Sequence, residues 1–264
     1  VAQALWTVQN TRTPDQVAHF VSKLRVYDIL GQDDAGAWMT KNFPNLFYIR
    51  ALGVYSWQPS DSWTATNIQS KGPLGAVYPT RVYATEGDSP AFFYLVPNGL
   101  SDPEHVDWGS WGSRFNLAKV AGVRGMTGGA SYNEAQYDPY YMYSDAPEGG
   151  SAIQRWSTAI NNDFAARMNW STNSSFSSAN HNPVAVVNGD NTEKILQISA
   201  APGSVVTLSA VGSSDLDGDT LTYSWSFYSQ PSSYTGSVNI QNSSSPTATV
   251  AIPSDATNKT IHVV

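Results

Sequence analysis

Two short apolar runs constrain the fold of this chain more than any other feature. They are LRVYDIL at residues 24–30 and LFYIRAL at residues 46–52, and GAWMTKNF at residues 36–43, between them, has helical composition. Runs of this length that are apolar almost throughout are typical of strands buried on both faces of a sheet. Two helices are predicted before the first run, one over residues 1–9 and one capped by Thr13. This order of elements predicts an α/β fold.

The α/β pattern continues to about residue 180. RVYATEG at residues 81–87 predicts a third strand, and the amphipathic stretch at residues 151–170 predicts a long helix. Residues 118–150 are rich in Tyr and Gly, show little periodicity and are predicted to form a long loop. The composition then shifts toward Val, Thr, Ser and Asn. We therefore place a boundary between an α/β domain, residues 1–180, and a second domain, residues 181–264.

The second domain has the alternation of an all-β structure. Segments bounded by Gly, Asp, Pro or Ser are predicted strands, at residues 184–187, 204–210, 220–227, 248–252 and 260–264. Their spacing predicts an immunoglobulin-like β-sandwich, and the turn SSDLDGDTLTYSW resembles a signature of tandem immunoglobulin-like modules. Asp215, Asp217 and Asp219 in this turn have two interpretations, as calcium ligands or as turn caps, and turn chemistry favours the caps.

Charge and composition exclude several classes of partner. The 264 residues carry a net charge of −7 without a cluster of Lys or Arg, so nucleic acid is not an expected partner. No stretch reaches the roughly 18 consecutive apolar residues of a membrane span, and there is no cysteine for a disulfide. Asn-x-Ser/Thr sequences predict glycosylation and secretion; they begin at Asn169, Asn173, Asn242 and Asn258.

Several long motifs occur in a fixed order along the chain. They are VSKLRVY, GQDDAGAW, KGPLGAVYP, EGDSPAFFYLVPNGLSDPEHVDWGSWGSRF, NDFAARMNW and NHNPVAVVNGD. In these motifs the chain resembles the family of cellulose-binding proteins that joins a nucleoside-hydrolase-like domain to an immunoglobulin-like C-terminal domain. The resemblance spans nearly the whole chain and implies a nucleoside-hydrolase-like fold, with a mostly parallel sheet and helices on both of its faces.

The resemblance also implies a calcium site and a longer polypeptide. Members begin with a strand and a cluster of aspartates that hold Ca²⁺, and no such cluster precedes VAQALW. The chain is therefore predicted to be a fragment that lacks the first βα units and the last strand, with the N-terminal fragment as a partner. Asp145 matches a late calcium ligand, and most other ligands are expected in the missing segment. Asn98 and residues 102–104 keep the N-x-x-x-D-P-E part of a substrate-pocket motif, but Val96 replaces its first acid.

Acidic loops follow two of the predicted strands, at the edge where ligands bind in open α/β sheets. They are GQDDAG at residues 31–36 and EGDSP at residues 86–90. Cleavage of a glycosidic bond uses carboxylates as acid, base or stabiliser of the sugar cation. The catalytic candidates are Asp34, Glu86, Asp88 and His105, and Gln32 is a candidate substrate ligand. Asp88 as a structural cap and His105 as a hydrogen-bonded loop residue are the alternatives.

The loop LSDPEHVDWGSWGSRF at residues 100–115 has two tryptophans among glycines. Trp108 and Trp111 have two possible uses, stacking on the C–H face of a sugar ring or packing the loop on the core. Arg114 and Asp107 are candidates to bind sugar hydroxyl groups. We expect Trp111, next to Arg114, to be the partly exposed tryptophan.

Two functions from different classes remain. We expect a secreted glycosidase that acts on a polysaccharide or oligosaccharide, because acids clustered at strand ends exceed what stacking on a flat glycan needs. This function predicts that Asp34, Asp88 and Asp145 converge at the carboxyl edge of the sheet. The alternative is a protein that binds cellulose or a related glycan without turnover.

Overall fold

The computed structural model describes residues 1–29, 35–82, 87–120 and 140–264. The helices in these ranges are α1 (Ala2–Thr11), α2 (Pro14–Ser22), α3 (Gly36–Asn42), α4 (Asp61–Thr64), α5 (Gly72–Ala76), α6 (Pro90–Phe93), α7 (Ser151–Gln154) and α8 (Ser157–Trp170). The strands are β1 (Arg25–Ile29), β2 (Phe47–Ala51), β3 (Phe115–Val120), β4 (Tyr140–Asp145), β5 (Val205–Ser209), β6 (Phe227–Tyr228), β7 (Asn239–Gln241), β8 (Thr247–Ala251) and β9 (His262–Val263). A π-helical turn continues α4, and a 3-10 turn forms at Phe176–Ser178. None of the described helices has the length and apolar content to cross a membrane.

A mixed sheet in the order β1-β2-β4-β3 forms the centre of the N-terminal region. β1 pairs with β2 and β2 pairs with β4 in parallel, whereas β3 runs antiparallel to β4. The register places Tyr27 of β1 beside Ile49 of β2, and Ile49 beside Tyr143 of β4. The sheet and its helices confirm the predicted α/β class and place three parallel strand ends at one edge.

β1 and β2 are covered on both faces of the sheet. On one face Val26 packs with Leu5 in a cluster that also includes residues of α2 and α3. On the other face Ile49 and Phe115, neither of which is exposed, pack with Tyr94 from the segment after α6. Burial on both faces explains why the first two strands are nearly continuous apolar runs in the sequence.

β3 and β4 lie largely where the sequence predicts a long loop. The prediction of a loop over residues 118–150 is wrong for residues 118–120 and 140–145, which are strand, and is confirmed for residues 146–150. Residues 121–139 lie outside the described residues. Met142 of β4 is buried, and Tyr143 packs its ring 5.1 Å from that of Phe47. Aromatic side chains favour the pleated surface of a sheet, which accounts for the tyrosines of β4.

The predicted helix at residues 151–170 forms as two helices, α7 and α8. The break falls at Trp156, whose backbone angles of φ −99° and ψ 1° are not helical. The indole of Trp156 meets the ring of Tyr228 edge to face at 5.9 Å. The helix is therefore interrupted at the residue that packs against the C-terminal region.

The remaining N-terminal predictions have mixed outcomes. α1, α2 and α3 form as predicted, and the hydroxyl of Thr13 accepts the Gln16 amide in a capping box. The strand predicted at residues 81–87 falls largely on residues 83–86, which lie outside the described residues.

The C-terminal region contains two small antiparallel sheets. One has the order β5-β8-β7, and the other pairs β6 with β9. β5, β8 and β9 confirm the strands predicted at residues 204–210, 248–252 and 260–264. Leu208, Ala248 and Val250 are buried.

Two strands predicted in this region are wrong. Residues 184–187 make only isolated bridges, and residues 220–226 form no strand. Within the latter segment, the Trp225 amide donates to the Ser243 carbonyl at 2.8 Å, and Ser226 exchanges backbone hydrogen bonds with Val264. The Ser226–Val264 bonds flank the Phe227–Val263 pair at the end of the β6–β9 ladder, and residues 220–225 add no further pairs to it. Alternation in sequence therefore gives an extended segment rather than a strand over residues 220–225.

Tyr228 joins the two regions. Its side chain is 2% exposed, and a Cβ added to Gly109 would lie 2.4 Å from its hydroxyl oxygen. The guanidinium of Arg155 lies over the Tyr228 ring at 4.5 Å. The Gly99 amide also donates to the Glu193 carbonyl at 2.9 Å. The loop of residues 100–115 is therefore held between the sheet and the C-terminal region.

Candidate functional site

Asp145 lies at the carboxyl end of β4, where ligands of open α/β sheets bind. Its carboxylate accepts the backbone N–H groups of Leu52 at 3.2 Å and Gly53 at 2.7 Å, at the end of β2. Burial raises the pKa of Asp145, although these two amides and Arg50 oppose the rise. Asp145 thus ties two parallel strand ends together and holds its proton more tightly than an ordinary aspartate.

Arg114, beside the same edge, makes four hydrogen bonds within the protein. Its Nε and Nη2 donate to the Glu148 carboxylate at 2.5 and 2.7 Å. Its Nη1 donates to the Asp107 carbonyl at 3.3 Å and to Asn116 Oδ1 at 3.1 Å. Burial raises the pKa of Glu148, but the hydrogen bonds and charge of Arg114 outweigh it and hold that pKa below its ordinary value. These contacts place Arg114 as a connector between the loop, β3 and the turn after β4.

His105 and Trp108 form a parallel ring stack in the same loop. Their ring centroids are 4.0 Å apart with 5° between the planes. His105 is exposed and Trp108 is half-buried. His262 of β9 meets Trp108 edge to face at 5.6 Å. Burial lowers the pKa of His262, with a smaller effect of Arg114 in the same direction, whereas Asp107 opposes it.

The backbone of the loop is fixed by its own turns. Asp102 Oδ1 accepts the Glu104 amide at 2.9 Å, and the Asp102 carbonyl accepts the His105 amide at 2.9 Å. Glu104 pairs with Arg25 of β1. The His105 carbonyl in turn accepts the Trp108 amide at 2.9 Å. These bonds order the backbone on which the two stacked rings stand.

Trp111 has different surroundings from Trp108. It packs against a buried cluster that contains Trp57, Ile153 and Ile160. Both tryptophans are half-buried, so partial exposure does not distinguish them. Their contacts distinguish them, because Trp111 packs on apolar core residues, whereas Trp108 stacks against the exposed ring of His105.

Tyr27 is a further polar group at this site, and no sequence motif indicates it. Its hydroxyl donates to the Gly112 carbonyl at 3.3 Å, and its ring stacks on Tyr94 with centroids 5.7 Å apart. Burial raises the pKa of Tyr27 well above its ordinary value, and the charge of Asp145 adds to the rise. In the sequence Tyr27 is one aromatic residue within an apolar run. Glu148 and His262 are missed as well, and nothing in their local sequence marks them.

The other predicted site residues are distributed as follows. Gln32, Asp34 and Glu86 lie outside the described residues. Asp88 is exposed, and its carbonyl accepts the Ala91 amide at the start of α6. Asn98 Oδ1 accepts the Leu100 amide at 3.1 Å. The convergence of Asp34, Asp88 and Asp145 therefore stays a prediction.

Family models match both regions of the chain. A model described as cellulose-binding Sde182, nucleoside hydrolase-like domain, matches residues 1–115, and one for the C-terminal domain of cellulose-binding protein Sde0182 matches residues 205–264. The chain is similar to this family over these two segments. No curated protein matches the chain.

A solved structure supports this similarity and the fold. It is a nucleoside hydrolase-related hypothetical protein from Saccharophagus degradans that is associated with carbohydrate metabolism. The two are 59% identical with a TM-score of 0.90, and the match covers 99% of this chain and 62% of that protein. The chain thus spans less than two thirds of its relative's length. The resemblance read from the motifs and the nucleoside-hydrolase-like fold are both confirmed.

The calcium site that the family resemblance implies needs more oxygen ligands than the described residues provide. Calcium takes about six to eight oxygen ligands. The described part of the chain has no group of three or more His, Asp or Glu side chains arranged to hold a metal ion, and Asp145 already accepts two backbone amides. The described residues do not form this site by themselves. Asp145 as a calcium ligand stays a prediction.

The aspartates of the C-terminal turn are arranged as turn caps. Asp215 Oδ1 accepts the backbone amides of Asp217 at 2.8 Å and Asp219 at 3.1 Å. The Asp217 carboxylate accepts the backbone amide of His181 at 2.6 Å. These bonds agree with the interpretation that turn chemistry favours.

Proposed function

We propose that this protein binds cellulose or a related β-glucan at the surface formed by His105 and Trp108. The observation that carries the proposal is the exposed His105 ring held parallel to Trp108 at 4.0 Å. The family models are named for cellulose-binding proteins, and the solved relative is associated with carbohydrate metabolism. These names support a saccharide as the ligand class.

The geometry suits a saccharide in two respects. The C–H face of a pyranose ring is apolar and packs on a flat ring, and a ring already fixed in a stack loses little freedom on binding. Asp107 lies close enough to His262 to influence its pKa, so a carboxylate that can accept sugar hydroxyl groups is near the stack. Arg114, by contrast, is committed to Glu148.

The proposal is tested by adsorption to microcrystalline cellulose. Replacing His105 by Ala removes the exposed ring, and replacing Trp108 by Ala removes its support; each is expected to weaken binding several-fold to about tenfold, by analogy with aromatic stacking on bases. His105→Phe keeps a flat ring and should retain binding. Trp6→Ala is the matched control, because Trp6 is 58% exposed on α1. Loss of binding in the Trp6 variant alone would place the binding surface elsewhere.

A glycosidase is the second candidate, and the observation that favours it is Asp145. A carboxyl group with a raised pKa at the carboxyl edge of a parallel sheet suits an acid that donates a proton to a leaving group. Asp34, Glu86 and Asp88 are the proposed partner carboxylates. Release of reducing sugar from a panel of glycans tests this candidate, with Asp145→Asn and Asp88→Asn as the variants. Binding without release would leave the binding proposal standing and reject the glycosidase.

We also infer a secreted, glycosylated protein with an immunoglobulin-like C-terminal domain. The exposed positions of Asn173, Asn242 and Asn258 and the two antiparallel C-terminal sheets support these points. Expression in a secreting eukaryotic host tests the first, since enzymatic removal of N-glycans should lower the mass of protein in the medium. An experimental structure that lacks two facing sheets would reject the second.

A further inference from the structure

We propose a second saccharide-binding site in the groove between the 3-10 turn after α8 and the aspartate turn of the C-terminal region. The groove has a volume of about 500 Å³, within the roughly 300–1,000 Å³ typical of small-ligand sites. Its lining includes Phe176, Ser178, Asn180, Leu216, Asp217 and Asp219. The choice of ligand rests on the proposed function, whereas the location is independent of the His105–Trp108 surface.

Phe176, which lines the groove, is the outer ring of a column of stacked rings. Phe176 lies on His181 with centroids 3.6 Å apart and 4° between the planes, and His181 lies on Trp170 at 5.3 Å and 18°. The guanidinium of Arg167 sits over Trp170 at 5.4 Å. Phe176 is nevertheless 58% exposed. Since His181 covers one face of this ring, the exposed area belongs to its edge and its other face.

Hydrogen bonds hold the column in place. The His181 backbone amide donates to Asp217 at 2.6 Å, and His181 Nδ1 lies 3.2 Å from both Asp217 carboxylate oxygens. The Trp170 indole N–H donates to the Asn180 carbonyl at 2.7 Å. The free face of Phe176 is therefore presented by a supported ring, which limits the entropy lost when a ligand stacks on it.

The polar lining selects the ligand class. Asp219 supplies a carboxylate and Ser177 supplies a hydroxyl group, and the lining residues in the described part of the chain include neither Lys nor Arg. Such a lining repels anions such as phosphates and accepts hydrogen bonds from a neutral polyol. A flat apolar ring beside hydroxyl acceptors matches a pyranose, which has an apolar face and a rim of hydroxyl groups.

A cation is the alternative occupant, and the contacts argue against it. Asp217 is engaged by His181, and Asp215 Oδ1 is used by two backbone amides. Calcium prefers about six to eight oxygen ligands. The groove is also lined by the largely exposed Phe176 ring, which offers a hard cation no oxygen ligand.

The test is calorimetric titration with cellohexaose, performed on the wild-type protein and on variants of each surface. Wild type is expected to bind two cellohexaose molecules per chain. Phe176→Ala should remove one of them or weaken it about tenfold, as loss of a stacking ring implies. Phe176→Leu, which keeps apolar bulk but no flat ring, should behave like Phe176→Ala, whereas Phe176→Trp should retain binding. Phe92→Ala is the matched control, since Phe92 is 68% exposed on α6.

The outcomes separate the two proposals. If Phe176 variants bind like wild type while His105→Ala loses binding, the second site is rejected and the proposed function stands. If only the Phe176 variants lose binding, the second site stands and the His105–Trp108 surface is rejected. No binding by wild type rejects both. Calcium binding to wild type that Asp219→Asn abolishes, with no effect of cellohexaose, would make the groove a cation site and reject the inference.

Discussion

Arg114 and Glu148 form a two-point ion pair whose side chains are only 8% and 16% exposed. The pair connects the start of β3 with the turn after β4, and Arg114 also reaches the carbonyl of Asp107. A charged pair with so little access to water is stabilising only as long as both partners are present.

Replacing Glu148 by Gln is expected to lower the free energy of unfolding by about 3 kcal/mol at neutral pH, because Arg114 would remain buried without a counter-charge. Urea denaturation measures the change. Asp163→Asn is the control, since the Asp163–Arg167 pair lies on the surface of α8 with Arg167 61% exposed. That substitution should cost no more than about 0.5 kcal/mol. Equal losses in the two variants would contradict a special role for the buried pair.

The pKa of Glu148 also determines how the stability of the protein changes as the pH falls into the acid range. Its pKa is lower in the folded state than the ordinary value of 4.5, so the unfolded state binds the proton more tightly. The stabilisation is fully present above pH 4.5 and is lost as the pH falls through the folded-state pKa. Stability measured from pH 7 to pH 3 should therefore fall less steeply for Glu148→Gln than for wild type.

Asp145 is expected to act in the opposite direction. Burial raises its pKa above the ordinary 3.8, so its contribution to stability is complete below that value and declines as the pH rises through the folded-state pKa. A carbon-13 NMR titration of the Asp145 carboxyl group measures this pKa directly. A midpoint at or below 3.8 would show that the bonds from Leu52 and Gly53 outweigh burial.

Trp111→Ala is expected to destabilise the protein by about 2–4 kcal/mol, because the indole packs against the buried cluster of Trp57, Ile153 and Ile160. Thermal melts of this variant and of His105→Ala make the comparison, since His105 is exposed. The His105 variant should melt close to wild type. An unchanged melting temperature for Trp111→Ala, together with weaker glycan binding, would show that Trp111 contacts the glycan rather than stabilising the core.

Gly109→Ala is expected to cost more than about 1 kcal/mol, because Gly109 has φ of 95° and a Cβ there would lie 2.4 Å from the Tyr228 hydroxyl. Gly99→Ala is the matched control: Gly99 has φ of 78°, but a Cβ there meets nothing within 4 Å. The difference between the two variants isolates the contact with Tyr228. Tyr228→Phe should partly rescue Gly109→Ala in a double-mutant cycle. Absence of rescue would assign the whole cost to the backbone.

The sequence predicts those parts of the fold whose signal is local. The runs around Val26 and Ile49 are apolar because both sheet faces are covered, and that requirement is visible in a few residues. The segment before Phe227 alternates equally well, yet it forms no strand because a ladder also needs a continuous partner. Alternation alone therefore cannot specify pairing.

The candidate site is predictable only in part, because local sequence patterns do not show which remote residues come into contact. Asp145 and Trp108 stand in recognisable motifs, but Glu148 and His262 reach the site through contacts with residues remote in sequence. Trp111 and Trp108 have nearly the same local sequence and different neighbours. Their separate roles follow from packing, which single-sequence patterns do not contain.

Tyr228 has a consequence for the order in which the molecule is assembled. The ring fills the space left at Gly109, and the two residues are far apart along the chain. During synthesis the loop around Gly109 emerges long before Tyr228, so it cannot reach its final packing until the C-terminal region has been made. Closure of this contact is non-local and is expected to come late, after the sheet around Ile49 has formed.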